Sequence, residues 1–386
     1  MKPSFEILVG DCRESMKKLP EKSIHCCITS PPYFNQRDYG VDGQTGLEKN
    51  ADCAGWVTGK WCGECFVCSL IKVFREVKRV LRDDGTLWLN LGDKYSSGGR
   101  KSHGPPGSPK QVSNAGSHTS VRRYAGNLSG KQLLGTPWRT ALALQAEGWV
   151  LRSDVIWHKT NAMMGSQKDR PTCAHEYMFL LAKREKYYFD LEAIKEKSKT
   201  AGSLNGTLKK GQKESTGKIS GYNHSGEDFQ TGKFRTKRSV WTLSVASEKE
   251  SHFAVFPEKL ILPCILASTS EKGCCKECGA QPRRILETKQ VPFSPEEVRR
   301  RRANQNNRDP KRHVTEVRTT GWDATCECSA GYVPSIVLDP FGGSGTVAAA
   351  ALKKGRSAVL CEINPSYVEI AKAKIKKAQS NAGFML

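Results

Sequence analysis

The sequence predicts an α/β protein built on an open, mostly parallel sheet that carries basic and cysteine-rich insertions. Three observations predict it. Apolar runs of strand length alternate with segments of helical period along most of the 386 residues. Gly342, Gly343 and Gly345 stand between an apolar strand and a helix, where a ligand-binding turn belongs in such a sheet. Polar or Cys-rich stretches separate the ordered blocks rather than following them.

The elements read in order as follows. "SIHCCITSPPY" is a strand running into a turn. In "LIKVFREVKRVLRDDGTLWLNLG", Ile71, Phe74, Val77, Val80 and Leu81 recur at helical spacing. Asp84-Gly85 then reads as a turn and "TLWLNL" as a strand. Residues 96–130 are rich in Gly, Ser and Lys and predict a mobile loop. Order resumes at "TPWRTALALQAEGWVLRSDVIWHK", with Pro137 early in a helix, Gly148 closing it, and a strand after it. "HEYMFLLAKREKYYFD" is a further apolar strand with an aromatic tail. From Lys195 to Arg238 the chain has eleven Lys/Arg against four acids and few apolar residues. "SVWTLSV" and "HFAVFPEKLILPCILAST" restore order. A Cys- and Arg-rich insertion runs from Gly273 to Ser329. The C-terminal stretch, from "SIVLDPFGGSGT" onward, is strand, glycine turn, helix, strand, acidic residue and helix.

The totals narrow the function classes. Lys and Arg number 61 against 39 Asp and Glu, a net charge of +22. Such a balance implies a polyanionic partner, most simply nucleic acid. No apolar run approaches the ~18 residues of a membrane span, and the N-terminus has no signal-peptide core. The expectation is a cytoplasmic chain with no membrane partner. Fifteen cysteines in a reducing compartment are thiols or metal ligands rather than disulfides.

Gly342, Gly343 and Gly345 allow a sharp turn and close approach of backbone to a ligand. Glu362 ends the next strand, 23 positions after Asp339, and is placed to bind ribose hydroxyls. The spacing is not G-x-G-x-x-G and no Gly-Lys-Ser/Thr follows. Nicotinamide cofactors and nucleoside triphosphates are therefore disfavoured, and another adenosine cofactor is favoured.

These residues resemble a family. Asp339-Pro340-Phe341-Gly342-Gly343-Ser344-Gly345 is similar to the S-adenosylmethionine loop of amino-group DNA methyltransferases, and Ser30-Pro31-Pro32-Tyr33 resembles their catalytic tetrapeptide. The catalytic motif precedes the cofactor motif, as in the permuted β group. The resemblance extends over most of the chain, through "LVGDCRESMKKLPEKSIHCCITSPPY", "RVLRDDGTLWLNLGDKY", "DVIWHKTN", "RPTCAHEYMFLLAK" and "FAVFPEKL". It implies a Rossmann-like methyltransferase sheet, Asp11 at the adenine of the cofactor, and residues 252–260, with Phe256 and Lys259, at its methionine end. In the family a first-position serine usually accompanies methylation of cytosine N4, and aspartate that of adenine N6. Cytosine N4 in double-stranded DNA is thus the expected target. Adenine N6, RNA methylation and a non-catalytic DNA-binding relic are the alternatives.

The chemistry explains the double proline. The lone pair of an exocyclic amine is conjugated into its ring, so attack on a methyl group needs acceptors beside the amine hydrogens. The Ser30 hydroxyl and the Pro31 carbonyl suit that role. The two prolines fix φ and remove amide donors, which holds the carbonyl rigid and free. Tyr33 offers a face on which an extruded base can stack.

Cys275-x-x-Cys278 and Cys326-x-Cys328 flank an Arg-rich loop and resemble a zinc ribbon, with Cys274 a substitute ligand. A zinc there would be structural. Cys53, Cys62, Cys65 and Cys68 form a possible second metal site. Cys12, Cys26, Cys27, Cys173, Cys264 and Cys361 sit in apolar strings and read as core. His158 and His175 read as structural or DNA-facing. Arg299 to Arg302 and Lys311-Arg312 form a second basic patch, and Arg122 and Arg123 lie in the 96–130 loop.

The expected organisation follows. Residues 1–190 are the catalytic half, with a Cys insertion at 51–70. Residues 191–250 are the target-recognition segment. Residues 251–272 and 330–386 are the cofactor half, and 273–329 the zinc-ribbon insertion. Monomer and homodimer both remain open.

Overall fold

The computed structural model describes residues 2–36, 39–96, 130–162, 167–197, 234–245, 256–292 and 313–383. The chain divides into two units. The larger comprises Met1–Asp190, Arg238–Pro282 and Thr325–Leu386, and the smaller Leu191–Lys237 and Arg283–Ala324.

The larger unit is organised by one eight-stranded sheet. Its strands are β1 (Phe5–Val9), β2 (Ile24–Thr29), β3 (Leu81–Leu91), β4 (Val150–Lys159), β5 (His175–Ala182), β8 (Val240–Leu243), β13 (Ile336–Asp339) and β14 (Ser357–Glu362). Across the sheet the order is β1, β14, β13, β2, β3, β5, β4, β8, while β9 (Cys274–Cys275) and β12 (Tyr332–Val333) form a separate short antiparallel pair. The pairs from β1 to β3 are all parallel; β5 runs antiparallel to both its neighbours, and β8 is parallel to β4. The six side chains of β2 are all buried, as a central strand covered on both faces requires.

The covering helices are α1 (Cys12–Ser15), α2 (Gly55–Thr58), α3 (Phe66–Val80), α4 (Thr136–Ala146), α5 (Glu258–Ser268), α6 (Thr346–Lys353) and α7 (Pro365–Gly383). Helix α3 buries Phe66, Leu70, Val73, Phe74, Val77 and Val80 in a core shared with Leu87, Leu89 and Phe179. The period read from Ile71 to Val80 is therefore a real helix face. None of the described helices is long and apolar enough to cross a membrane.

Strand order reverses between β13 and β2. From β13 the chain crosses through α6 to β14 on one side, and from β2 through α3 to β3 on the other. Such a reversal leaves a crevice beyond the carboxyl ends of the two strands, where open α/β sheets bind ligands.

Three expectations are corrected. Asp84-Gly85 is not a turn: β3 begins at Leu81, directly after α3, and carries both residues within it. The register with β2 shifts between Ile24 and Cys26, whose partners are Leu81 and Thr86, so both residues lie in the stretch of β3 that has no partner on β2. Cys173 is exposed, whereas Cys12, Cys26, Cys27, Cys264 and Cys361 are buried as expected; Cys173 precedes β5 instead of lying inside it. Within the 191–250 segment, β8 belongs to the main sheet of the larger unit.

The smaller unit contains the paired strands β6 (Glu196–Lys197) and β7 (Phe234–Arg235) and the long antiparallel hairpin of β10 (Arg283–Pro292) and β11 (His313–Asp323). In the hairpin the Arg284 guanidinium lies 4.5 Å over the Trp322 ring. The loop core at 97–129, the basic stretch at 198–233, residues 252–255, Arg299 to Arg302 and Lys311-Arg312 lie outside the described residues.

Candidate active site

The two motifs read from the sequence meet at the reversal between β13 and β2. Thr29, the last residue of β2, donates its hydroxyl to Asp339 Oδ1, at the end of β13, at 2.7 Å. The Phe341 amide donates to the same oxygen at 3.1 Å. Burial pushes the Asp339 carboxyl up to about 7, against the lowering effect of these two donors. One residue beyond this bond on each strand, the chain opens into a cavity of about 300 Å³.

One wall of that cavity is the glycine turn, with Asp339, Pro340, Phe341, Gly342, Gly343 and Ser344 lining it. A Cβ on Gly342 would meet Leu360 Cβ at 3.1 Å and the Cys361 carbonyl at 3.2 Å, so glycine is needed for the turn to pass β14. Gly345 has φ +77° and caps α6; a Cβ there would lie 3.0 Å from Ala371 Cβ. Glu362 borders the cavity, accepting the Gly343 amide on one oxygen at 2.7 Å and the Asn364 amide on the other at 2.8 Å. Burial raises its pKa, and those amides moderate the rise. A carboxylate has four acceptor directions, so Glu362 holds the loop and keeps capacity for hydroxyl donors.

Asp11 and Phe256 line the same cavity, as do Tyr39 and Tyr367, whose rings meet edge-on at 6.2 Å. Asp11 also caps α1, accepting the Arg13 amide at 2.8 Å and its guanidinium Nε at 2.9 Å. Burial raises the Asp11 carboxyl, but the Arg13 contacts outweigh it and leave the group below its usual value. Lys259 is exposed on α5 and is not part of the cavity wall. Gly345 supports the turn from behind rather than facing the space. Carboxylates, aromatic faces and a glycine turn that lets backbone approach closely together suit an adenosine cofactor bearing a positive sulfur.

The opposite wall is the proline corner, with Ser30, Pro31, Pro32 and Tyr33 all lining the cavity. Pro31 is buried and the other three are half-buried. The Tyr33 hydroxyl donates to Glu176 Oε2 at 2.6 Å, lies 3.1 Å from Asn90 Oδ1, and receives the Ser30 hydroxyl at 3.4 Å. Burial first, and then the Glu176 carboxylate, push the Tyr33 phenol well above its ordinary pKa, so it stays a donor. Asn90 Nδ2 donates to Glu176 Oε2 at 3.2 Å and to the Tyr177 carbonyl at 3.0 Å. The Lys159 ammonium pairs with Glu176 Oε1 and sits 4.7 Å over the Trp157 ring. A Cβ on Gly92 would lie 2.7 Å from the Tyr33 ring, so that glycine makes room for it.

Asn90, Glu176, Lys159 and Trp157 were not singled out from the sequence. The signal available was a polar residue inside or ending an apolar strand: Asn90 in "TLWLNL", Glu176 in "HEYMFLLA", Lys159 after "VIWH". His158 is exposed, with Nδ1 3.3 Å from the Thr242 hydroxyl, and His175 is exposed beside Tyr177; neither lines the cavity.

Both cysteine sets converge. The sulfurs of Cys275, Cys278, Cys326 and Cys328 lie within 4.8 Å of one another, and so do those of Cys53, Cys62, Cys65 and Cys68. Cys274 is not a member: its buried thiol faces the Val333 carbonyl at 3.5 Å. The amides of Cys278 and Glu277 pull the Cys275 thiol down to about 6. The first set is packed beside β2, since Arg82 donates to the Cys278 carbonyl at 2.6 Å and His25 Nε2 lies 3.0 Å from the Gly279 carbonyl.

Comparison with known proteins agrees with this arrangement. Residues 24–276 and 331–373 match the family described as DNA methylase, of the N6/N4 type. The unmatched stretch between them holds most of the Cys- and Arg-rich insertion. The chain is 34% identical to the type II methyltransferase M.Cfr9I of Citrobacter freundii over 373 residues, covering 96% of this chain and 88% of that protein. It is 39% identical to M.SmaI of Serratia marcescens over 271 residues, 70% of this chain and 77% of that one. Among solved structures it resembles the PvuII DNA methyltransferase (cytosine-N4-specific), with a TM-score of 0.50 at 14% identity, over 99% of this chain and 95% of that one; at this identity the likeness speaks for the fold. With a family match over most of its length and relatives aligned almost end to end, the chain belongs to the N6/N4 DNA methylase family, as an S-adenosylmethionine-dependent DNA amino-methyltransferase.

Proposed function

We propose that the chain methylates the N4 amine of a cytosine flipped out of double-stranded DNA at a specific site, in a bacterial cytoplasm where it serves restriction–modification. The observation that carries this reading is one cavity bounded by the glycine turn on one side and a proline corner beginning with serine on the other.

Bound S-adenosylmethionine supplies a methyl group activated by a sulfonium sulfur. Asp339 to Gly345, Glu362, Asp11 and Phe256 would hold it. The Ser30 hydroxyl and the Pro31 carbonyl would accept the two amine hydrogens and turn the nitrogen lone pair toward the methyl carbon. With the methyl carbon passed from sulfur to that nitrogen, leaving the sulfur neutral, Ser30 and Pro31 would release the surplus amine proton to solvent. Tyr33 would stack on the extruded base. Its ring orientation is fixed by the hydroxyl bond to Glu176, and Lys159 fixes Glu176 in turn. The uncharged Ser30 favours cytosine through the family's usual pairing of first residue and target base.

The Cys275, Cys278, Cys326 and Cys328 thiolates would bind a structural zinc that pins the base of the insertion. Its role would be in folding rather than in methyl transfer.

Incubation of the protein with S-adenosylmethionine and unmethylated genomic DNA, followed by nucleoside mass spectrometry, tests the reading. N4-methylcytosine is the expected product. N6-methyladenine would keep the chemistry and overturn the base assignment. Cofactor binding without any methylated base would overturn the DNA target.

A further inference from the structure

From Ser30 to Ala54 the described chain forms no helix or strand, yet this irregular segment supplies Gln36, Tyr39, Gly43, Gln44 and Thr45 to the cavity wall. The Asn35 amide donates to the Gly46 carbonyl at 2.6 Å, and Gln44 Oε1 accepts the Tyr39 amide at 2.8 Å. Its near end is fixed by the proline corner. Its far end runs into the second cysteine set.

That set has the geometry of a tetrahedral thiolate site. Cys53 Sγ lies 3.6 Å from Cys68 Sγ, and Cys62 Sγ lies 3.9 Å from Cys68 Sγ. Zinc–sulfur bonds of about 2.3 Å in a tetrahedron place sulfurs about 3.8 Å apart. A disulfide needs about 2.05 Å, so these contacts are not bridges. Backbone amides point at three of the sulfurs. Cys62 N–H reaches Cys53 Sγ at 3.4 Å, Glu64 N–H reaches Cys62 Sγ at 3.5 Å, and Cys68 N–H reaches Cys65 Sγ at 3.5 Å. Amide donors of this kind stabilise negative sulfur. Lys72 closes the turn by donating to the Gly63 carbonyl at 2.7 Å.

The site is also wired to the segment it ends. The Phe66 and Val67 amides, at the start of α3 between Cys65 and Cys68, donate to the Asn50 and Ala51 carbonyls at 3.0 and 3.2 Å. Asp52, next to Cys53, accepts the Ala54 amide at 3.0 Å and the Trp56 indole at 3.2 Å, and pairs with Arg139 on α4. We infer that Cys53, Cys62, Cys65 and Cys68 hold one zinc ion, and that this ion anchors the far end of the segment walling the cofactor cavity. An all-sulfur tetrahedron selects zinc or iron, and a single closed site with no open position fits zinc in a structural role. The anchoring half of the inference rests on the cofactor reading of the cavity; the metal half does not.

Zinc content and cofactor affinity test the two halves separately. Metal analysis should find one zinc ion fewer per chain in Cys53→Ser/Cys62→Ser than in the unmodified protein, at equal folded fraction by circular dichroism. Unchanged zinc content, or iron in place of zinc, would overturn the site. Should the double variant fail to fold, cobalt reconstitution of a Cys278→Ser chain reads the same site. The bands of tetrahedral thiolate-bound cobalt, with one equivalent bound, are expected, and their absence would overturn it. By calorimetry, S-adenosylmethionine should bind Cys53→Ser/Cys62→Ser about tenfold more weakly than the unmodified protein, within the usual range of coupling between linked sites. Equal affinity would overturn the anchoring. No binding to the unmodified protein would instead refute the cofactor reading and leave the metal count standing.

Discussion

The bond between the Tyr33 hydroxyl and Glu176 is the place to perturb the site without touching its main chain. It joins residues 143 positions apart, is 2.6 Å long, and is made to a carboxylate whose side chain is only 13% exposed. A charge-assisted bond in such surroundings is worth about 1.5–3 kcal/mol. If it orients the ring in the transition state, losing it should lower kcat by about tenfold to a hundredfold, at about 1.4 kcal/mol per factor of ten. Tyr33→Phe removes the donor and Glu176→Gln removes the charge while keeping the shape. Each should lower kcat for methyl transfer with little change in S-adenosylmethionine affinity. The double variant should lose less than the product of the two single losses, giving a coupling of about 1–2 kcal/mol. Single-turnover methylation of a cognate duplex, with calorimetry for the cofactor, measures both quantities. Additive losses, or a fall in cofactor affinity parallel to kcat, would refute the assignment of Glu176 as the residue that positions Tyr33.

Three further outcomes follow from other contacts. Thr29→Val keeps the volume but leaves Asp339 without its 2.7 Å donor, which should cost about 1–3 kcal/mol of stability in denaturant titration. Gly345→Ala forces a Cβ to 3.0 Å from Ala371 at φ +77°, and should cost about 1–3 kcal/mol of stability and weaken S-adenosylmethionine binding in the same calorimetric assay. His25 is fully buried and bridges the Gly279 carbonyl and the Ile336 amide; burial first, and then Arg82, hold its pKa down to about 4 against an ordinary 6.5. The unfolded chain takes up this proton below pH 6.5 and the native one only near 4, so stability should fall as pH drops through that window. The loss is about 3 kcal/mol, and His25→Gln should flatten that part of the stability–pH curve.

The local signals in the sequence sufficed for the two motifs. Glycines at 342, 343 and 345 are demanded by the passage of the turn along β14 and by a positive φ, which are backbone requirements visible in residue type alone. The proline corner is legible for the same reason, and so is the grouping of Cys53, Cys62, Cys65 and Cys68, which fall within sixteen residues of one another. Helical period is local too, and α3 emerged where its apolar stripe put it. Tertiary structure decided the rest. Asp84-Gly85 carries a turn signal, yet both residues lie within β3, between Leu81 and Thr86, where the register with β2 shifts. Sheet order sets Thr29 beside Asp339 across 310 residues and carries Glu176 and Asn90 to Tyr33. Nothing in periodicity or propensity encodes which strands become neighbours. That choice is made by how the apolar faces of all the strands and helices can be buried at once. The chemistry-bearing motifs are therefore local and readable, whereas the residues that aim them belong to strands brought alongside by the closing of the core.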